Sequence, residues 1–468
     1  MSKNYTFPAG FWWGSAASGP QTEGRYDGDG KGDSLWDYWF EQEPEKFFGG
    51  VGPERTSRVY KMYKEDARLM KETGHNSFRT SIQWSRLIPD ATGEVNPEAV
   101  KFYNDYFDEL IANGVEPFVG LFHFDMPMAL QNEGGWLNRK TVDAYARYAK
   151  IAFELFGDKV KRWFTYNEPI VPVEGGYLYD FHYPNHKNMK EAMRVMYHEI
   201  VAQALAIKEF HEGGFDGTIG VVLNLTPSYP RDPENPEDVK AAKLADALFN
   251  RSFLDPSILG TLPEELKWLW ADSGTTPDML EGDAELIANN TIDLLGINYY
   301  QPRRIKAKET PVEGDGKGGP MPEDYFDNYD WPEKKMNPYR GWEIYEKGIY
   351  DCLINVKENY GNIDCYISEN GMGVEGEERY IDANGEIQDD YRIEFVRDHL
   401  KWVHQAIAEG SNCHGYHMWT CMDCWSWTNA YKNRYGFIAV DLDNDGARTV
   451  KKSGKWFHQV VADNGFEA

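Results

Sequence analysis

The sequence predicts an α/β fold, a (β/α)8 TIM barrel with long βα loops at its C-terminal face, and three observations carry that reading. Short apolar, β-rich runs alternate with longer segments of helical period, as in a parallel sheet with crossover helices. About eight such runs occur, the number that closes a barrel. Conspicuous polar residues cluster at the C-terminal ends of the runs, where barrel enzymes keep their chemistry.

The candidate strands are Phe11–Ser15, Ser77–Ile82, Pro117–Phe122, Arg162–Tyr166, Ile219–Leu223, Leu294–Tyr299, Cys365–Ser368 and Gly415–Thr420. Each is compact and apolar enough to be buried on both faces. Between the second and third, Asn96 reads as a cap and Pro97 as the first helical residue. Val100, Tyr103, Phe107, Leu110 and Ile111 then form one stripe that Gly114 stops. A second helix starts at Thr141, carries Val142, Tyr145, Ala149, Ala152, Phe153 and Phe156 on one face, and ends at Gly157 before the fourth strand. Pro311–Pro338, rich in Gly, Pro and acidic residues, follows the sixth strand and reads as a long βα loop on the active face, since strands resume after it. The 468 residues are therefore expected to form a single barrel domain, because barrels with insertions run past about 400 residues.

Composition excludes several function classes. A net charge of −27 argues against a nucleic-acid partner, which clustered Lys and Arg would have to hold. No apolar run is long enough to span a membrane and the N-terminus lacks the apolar stretch of a signal peptide, so a cytoplasmic protein is expected. The five cysteines, an odd number without framework spacing, fit a reducing compartment. Cys421 and Cys424 form a C-x-x-C, but no second pair or spaced histidines accompany it, so no metal or cofactor is expected. Aromatic residues make up 15% of the chain, a composition suited to stacking on sugar faces, although core packing consumes most of them. His182, His186, His198, His211 and His458 have no comparable context and read as satisfied or solvated side chains.

The strand-end residues are Arg79, His123, Asn167, Glu168, Asn298, Tyr299, Tyr300 and Glu369. Two of them are glutamates at equivalent strand ends, flanked by Asn, Pro and Gly. A pair of carboxylates is what glycosidic cleavage needs, one to protonate the departing oxygen and one to face the anomeric carbon. Their separation, which distinguishes retention from inversion, is not in the sequence.

At these positions the chain resembles glycoside hydrolase family 1 over almost its whole length. The matching runs are Phe11 to Gly14 with Gln21 to Gly24, Phe78 to Arg86, Leu121 to Asp125, Gly134 to Leu137, Thr165 to Pro169, Gly296 to Tyr300, and Ile367 to Gly371. The resemblance implies a retaining β-glycosidase with Glu168 as acid/base and Glu369 as nucleophile. It implies that Arg79 and Tyr300 hold the nucleophile's charge and that Gln21, His123, Asn167 and Trp419 bind the sugar. Trp342 corresponds to an aglycone-side tryptophan, and Asn298 joins the substrate-facing set.

Two further runs bear on the substrate, Trp425-Ser426-Trp427 and Tyr431 to Phe437. Family enzymes for unmodified sugars carry a Glu where Ser426 stands and usually a Phe where Tyr435 stands. A sugar 6-phosphate would be repelled by that Glu, whereas Ser and Tyr hydroxyls can donate to it. The pattern resembles the 6-phospho-β-galactosidase and 6-phospho-β-glucosidase branch. The branch's phosphate-site lysine falls at Asn433, with Lys432 one place earlier, so either residue is a candidate contact. Trp427 leans the reading toward 6-phospho-β-galactosides, with 6-phospho-β-glucosides allowed. The expected partner is thus a small 6-phosphorylated β-glycoside, with no nucleic acid and no membrane, and with homo-oligomerisation left open. The rival readings are a β-glucosidase or β-galactosidase for unphosphorylated sugars and a non-catalytic sugar-binding barrel.

Overall fold

The structure, a computed structural model, describes residues 4–309 and 320–467. Its centre is a closed barrel of eight parallel strands, Trp12–Ala16, Ser77–Ser81, Glu116–Gly120, Arg162–Asn167, Thr218–Asn224, Leu294–Asn298, Cys365–Glu369 and Cys413–Trp419, each paired with its neighbours in chain order. They are called the first to eighth strands below. All eight candidate strands are present, with ends shifted by one or two residues. The barrel interior is filled by Phe118, Phe164, Val222, Leu294 and Tyr366, with Trp12 against them. Such a plug makes the barrel a packed core, so a ligand has only the loop-covered end to enter.

Both helices read from the sequence form. Pro97–Ala112 is capped by the Asn96 side chain, which accepts from the Glu98 N–H, and it buries Ala99, Phe102, Tyr103, Tyr106, Phe107 and Leu110. The expected stripe is partly corrected: Val100 is only half-buried and Ile111 is exposed. Helix Val59–Glu72 lays Tyr60 against Phe102 and Tyr63 against Tyr106, which turns those two rings into the core. Lys140–Phe156 buries the whole expected face, and its Tyr145 hydroxyl donates to the Thr165 carbonyl of the fourth strand. That bond ties the helix to the strand that ends in Asn167.

Several loops carry structure of their own. Ser228–Pro230, Arg303–Ala307 and Phe326–Asn328 form a three-stranded sheet after the fifth and sixth strands. Residues 311–319 of the expected long loop lie outside the described residues. The rest of that loop rejoins the barrel at Asn337, whose Nδ2 donates to the Gly373 carbonyl at 3.0 Å. Asn4–Thr6 pairs antiparallel with Gly465–Glu467, bringing the two ends of the described chain together. Among the described residues no helix is long and apolar enough to cross a membrane.

One buried acid stands behind the fourth strand. Glu199, on helix Met189–Glu212, is fully buried, and neither carboxyl oxygen has a hydrogen-bond partner among the described residues. Burial pushes its pKa well above the carboxylate range, so the fold holds it protonated. As pH rises past the ordinary carboxylate range, the unfolded chain loses this proton while the fold keeps it, and stability falls. Glu199→Gln copies the neutral acid and removes that loss. The variant is expected to match the parent's melting temperature at pH 4.5 and to exceed it by a few degrees at pH 8; a difference independent of pH would contradict a protonated Glu199.

Candidate active site

Glu369 ends the seventh strand and Glu168 follows the fourth, so both carboxylates stand at the loop-covered end of the barrel. Both are buried. Their surroundings differ. Glu369 receives Arg79 Nη2 on one oxygen, and on the other the Tyr300 hydroxyl at 2.6 Å. A guanidinium and a phenol thus both donate to this carboxyl group. Tyr300 is the donor in that bond, because burial and then the charge of Glu369 raise its own pKa well above the ordinary phenol value and keep its proton in place.

Glu168 has no cation in contact among the described residues. Its one side-chain partner is the Asn298 amide, donating to Oε1 at 2.6 Å. Burial first, and the negative charge of Glu369 second, raise its pKa to about 8, against smaller lowering by Asn298 and Arg79. One carboxyl is therefore paired with a cation and its neighbour held protonated, the division expected of a nucleophile and an acid. Glu168 also sits at φ +47°, a left-handed conformation that a side-chain-bearing residue adopts at a cost of about 1–3 kcal/mol. Its N–H is fixed to the Val222 carbonyl at 2.8 Å.

A hydrogen-bond chain joins the two environments. Asn167 Oδ1 accepts from Arg79 Nη1 at 2.6 Å and from Asn298 Nδ2 at 3.1 Å. With its oxygen so engaged, Asn167 turns its Nδ2 toward His123 Nε2, 3.2 Å away. His123 must then accept there and carry its proton on Nδ1. Burial and the nearby Arg79 charge keep its imidazole well below the ordinary pKa, consistent with a neutral ring. The Trp419 and His123 rings lie nearly parallel, 6.1 Å apart at an interplanar angle of 22°.

The motif after Glu369 has a mechanical reason. Asn370 Nδ2 donates to the Tyr299 carbonyl at 2.8 Å and its Oδ1 accepts from Tyr416 at 2.7 Å, locking the seventh strand's end to the sixth and eighth. A Cβ on Gly371 would lie 2.0 Å from the Trp419 carbonyl oxygen, so no other residue fits between them. Glu23 and Arg86, from two of the motif runs, meet as a buried ion pair at 2.7 Å, joined by Asp29 at 2.9 Å from Arg86. They brace the loop that carries Gln21, whose amide is tied to the Trp425 carbonyl at 2.9 Å and to Ser18 at 2.8 Å.

A cleft of about 580 Å³ opens over Glu168, with Tyr300, Trp342, Ser426 and Trp427 in its wall. Trp427 is stacked on Trp36, ring centres 4.5 Å apart, so its indole is fixed as a wall. Ser426 is held by its N–H to the Ala430 carbonyl at 2.7 Å. Tyr435 and Asn433 are buried, Tyr435 packing with Trp419 and Tyr300, and Gly373 leaves the space that the Tyr435 ring occupies. Lys432 does not join them. It faces a neighbouring cleft, with Nζ 4.0 Å from Glu375 and over the Phe48 ring.

The arrangement matches known proteins over its whole length. Residues 3–466 fit the profile of glycosyl hydrolase family 1. The chain belongs to glycosyl hydrolase family 1. It is 64% identical to the 6-phospho-beta-glucosidase GmuD of Bacillus subtilis, covering 99% of both chains. It is 37% identical to a 6-phospho-beta-galactosidase of Staphylococcus aureus, covering 97% of this chain and 98% of that one. The family 1 β-glucosidase of Thermotoga maritima superposes with a TM-score of 0.89 at 35% identity over 100% of both chains. The protein is thus a glycoside hydrolase of this family.

Among the residues in the wall of this family 1 site that escaped the sequence reading are one histidine and two arginines. His182, read as a satisfied or solvated histidine, lines the cleft edge-on to Trp36, and burial lowers its pKa to about 3. Arg303 lines it too, paired with Glu174. Arg340 stands two residues before Trp342, its guanidinium 4.2 Å from that ring's centre. The turn-forming Asn337-Pro338 and Arg340-Gly341 pairs were the available signal for this last one.

Proposed function

We propose that the enzyme hydrolyses 6-phospho-β-D-glycosides with retention, through a covalent glycosyl-enzyme. Protonated Glu168 gives its proton to the glycosidic oxygen as the C1–O bond breaks, and a carboxylate oxygen of Glu369 bonds to C1. The aglycone leaves as an alcohol. Glu168, now ionised, takes a proton from water, whose oxygen attacks C1 and releases Glu369 as a carboxylate. Arg79 and Tyr300 hold the nucleophile's charge before attack and after release, while Gln21, His123, Asn167, Asn298 and Trp419 position the sugar. The observation that carries this reading is the contrast between Glu369, ion-paired with Arg79, and Glu168, buried without a cation.

The phosphate rests on two supports. Ser426 and Tyr435 offer hydroxyls where a carboxylate would repel a dianion, and the relative at 64% identity is named a 6-phospho-beta-glucosidase. The same identity, set beside 37% for a 6-phospho-beta-galactosidase, ranks gluco-configured substrates ahead of the galacto-configured ones toward which Trp427 leans. The test is kcat/KM for nitrophenyl β-D-glucoside and β-D-galactoside, each with and without a 6-phosphate. Preference for the phosphorylated sugars by about 10²-fold or more is expected. Equal or better turnover of the unphosphorylated pair would overturn the phosphate assignment and leave the two-carboxylate mechanism standing.

A further inference from the structure

A sugar phosphate entering this cleft brings a dianion toward a wall that contains Glu168 and Glu174. Ser426 and Tyr435 are neutral, so they can donate hydrogen bonds but leave the charge uncompensated. The two sequence candidates for compensation do not supply it. Lys432 faces Glu375 in the neighbouring cleft. Asn433 is neutral, and its Nδ2 lies 3.5 Å from the Tyr339 carbonyl.

Two arginines line the cleft, and their commitments differ. Arg303 is paired with Glu174, donates to Thr226 Oγ1 at 3.0 Å and stacks 3.8 Å over Phe249. Arg340 has no carboxylate within ion-pair distance among the described residues, and its buried Nε has no hydrogen-bond partner. One side of its guanidinium rests on Trp342 and it also faces the Tyr435 hydroxyl.

The backbone that presents Arg340 is closely held. Asn337 Oδ1 accepts from the Tyr339 N–H at 3.0 Å, and the Asn337 N–H donates to the Trp342 carbonyl at 2.8 Å. Gly341 closes the turn at φ +76°, a conformation suited to glycine. Asn433 touches the same turn through Tyr339, so the residue standing where a lysine was expected supports the arginine's segment.

We propose that Arg340 is the phosphate-binding cation of this enzyme, taking from the adjoining loop the role that a lysine at position 433 would otherwise fill. The proposal rests on the 6-phosphoglycoside reading. Arginine suits the task because its fork of N–H donors can engage two phosphate oxygens at once. The phosphate is remote from the bond that breaks, so its contact should act on ground state and transition state alike and appear mainly in KM.

The test compares Arg340→Met and Arg340→Lys with the parent on nitrophenyl 6-phospho-β-glucoside and nitrophenyl β-glucoside, with melting temperatures as a check of folding. In Arg340→Met the ratio of kcat/KM between phosphorylated and unphosphorylated sugar is expected to drop about 10²-fold, chiefly through KM. Arg340→Lys should recover part of that ratio, since it restores the charge without the fork. Glucose 6-phosphate should inhibit Arg340→Met correspondingly more weakly. Equal losses on both substrates would overturn the proposal and make Arg340 a support for Trp342 alone. A parent enzyme without preference for the phosphorylated sugar would remove the underlying substrate reading as well, and that result is visible before any variant is made.

Discussion

Replacing Glu369 by Gln is expected to reduce turnover of every substrate by at least about 10⁴-fold, because the variant has neither a nucleophile nor the charge that stabilises a cationic anomeric centre. The loss should appear in kcat, since the amide keeps the shape of the pocket and the contacts that bind the sugar lie on other residues. Arg79 then points a guanidinium at an uncharged amide, and an unpaired buried charge is costly. A lowered melting temperature is therefore expected beside the lost activity. Rate alone does not prove a covalent role, so a 2-deoxy-2-fluoro 6-phosphoglycoside with a good leaving group should label the parent enzyme once per chain. Peptide mapping should find the label on Glu369. A label on another carboxylate, or a Gln variant with near-parental kcat, would sink the assignment.

Much of this site was readable in one dimension because it is built from strand ends. A barrel strand fixes the direction of its final residues, so Glu369, Asn298 and Asn167 were placed once the apolar runs were recognised. Lys432 and Arg340 show the opposite case. Both belong to long loops, where direction is set by contacts far away in the chain: Asn337 anchored to Gly373 for one, Glu375 and Phe48 for the other. Neither contact leaves a periodic signature. The same limit applies to Ile111, which fits an apolar stripe by spacing yet is exposed because helix Val59–Glu72 engages Phe102 and Tyr106 instead. The three-stranded loop sheet escaped notice because its strands are short and pair across distant segments. What the sequence carried well was chemistry tied to regular backbone, and what it lost was orientation decided by tertiary neighbours.

Glu168→Gln should separate the two half-reactions, and the electrostatics of the site say how. In the resting enzyme, burial and the negative charge of Glu369 keep Glu168 protonated up to about pH 8. The acid is the active form, so kcat/KM of the parent is expected to fall as pH rises through that region. Once Glu369 becomes a glycosyl ester its charge is gone, and with it the second largest cause of the raised pKa. Glu168 then ionises more readily and can act as base toward water, so one residue serves both steps because its partner's charge is switched by the reaction itself. Gln can do neither. For a dinitrophenyl leaving group, which departs without a proton, the glycosylation rate of Glu168→Gln should stay within about tenfold of the parent, whereas a sugar aglycone should lose about 10²–10⁴-fold. The alkaline limb that the parent shows on substrates needing the acid should be absent from the profile of the variant. Hydrolysis of the intermediate becomes slow, giving a burst of released phenol, and azide should speed turnover by forming a β-glycosyl azide without needing a base. Equal losses for good and poor leaving groups, or an alkaline limb that persists in the variant, would mean that a different residue delivers the proton.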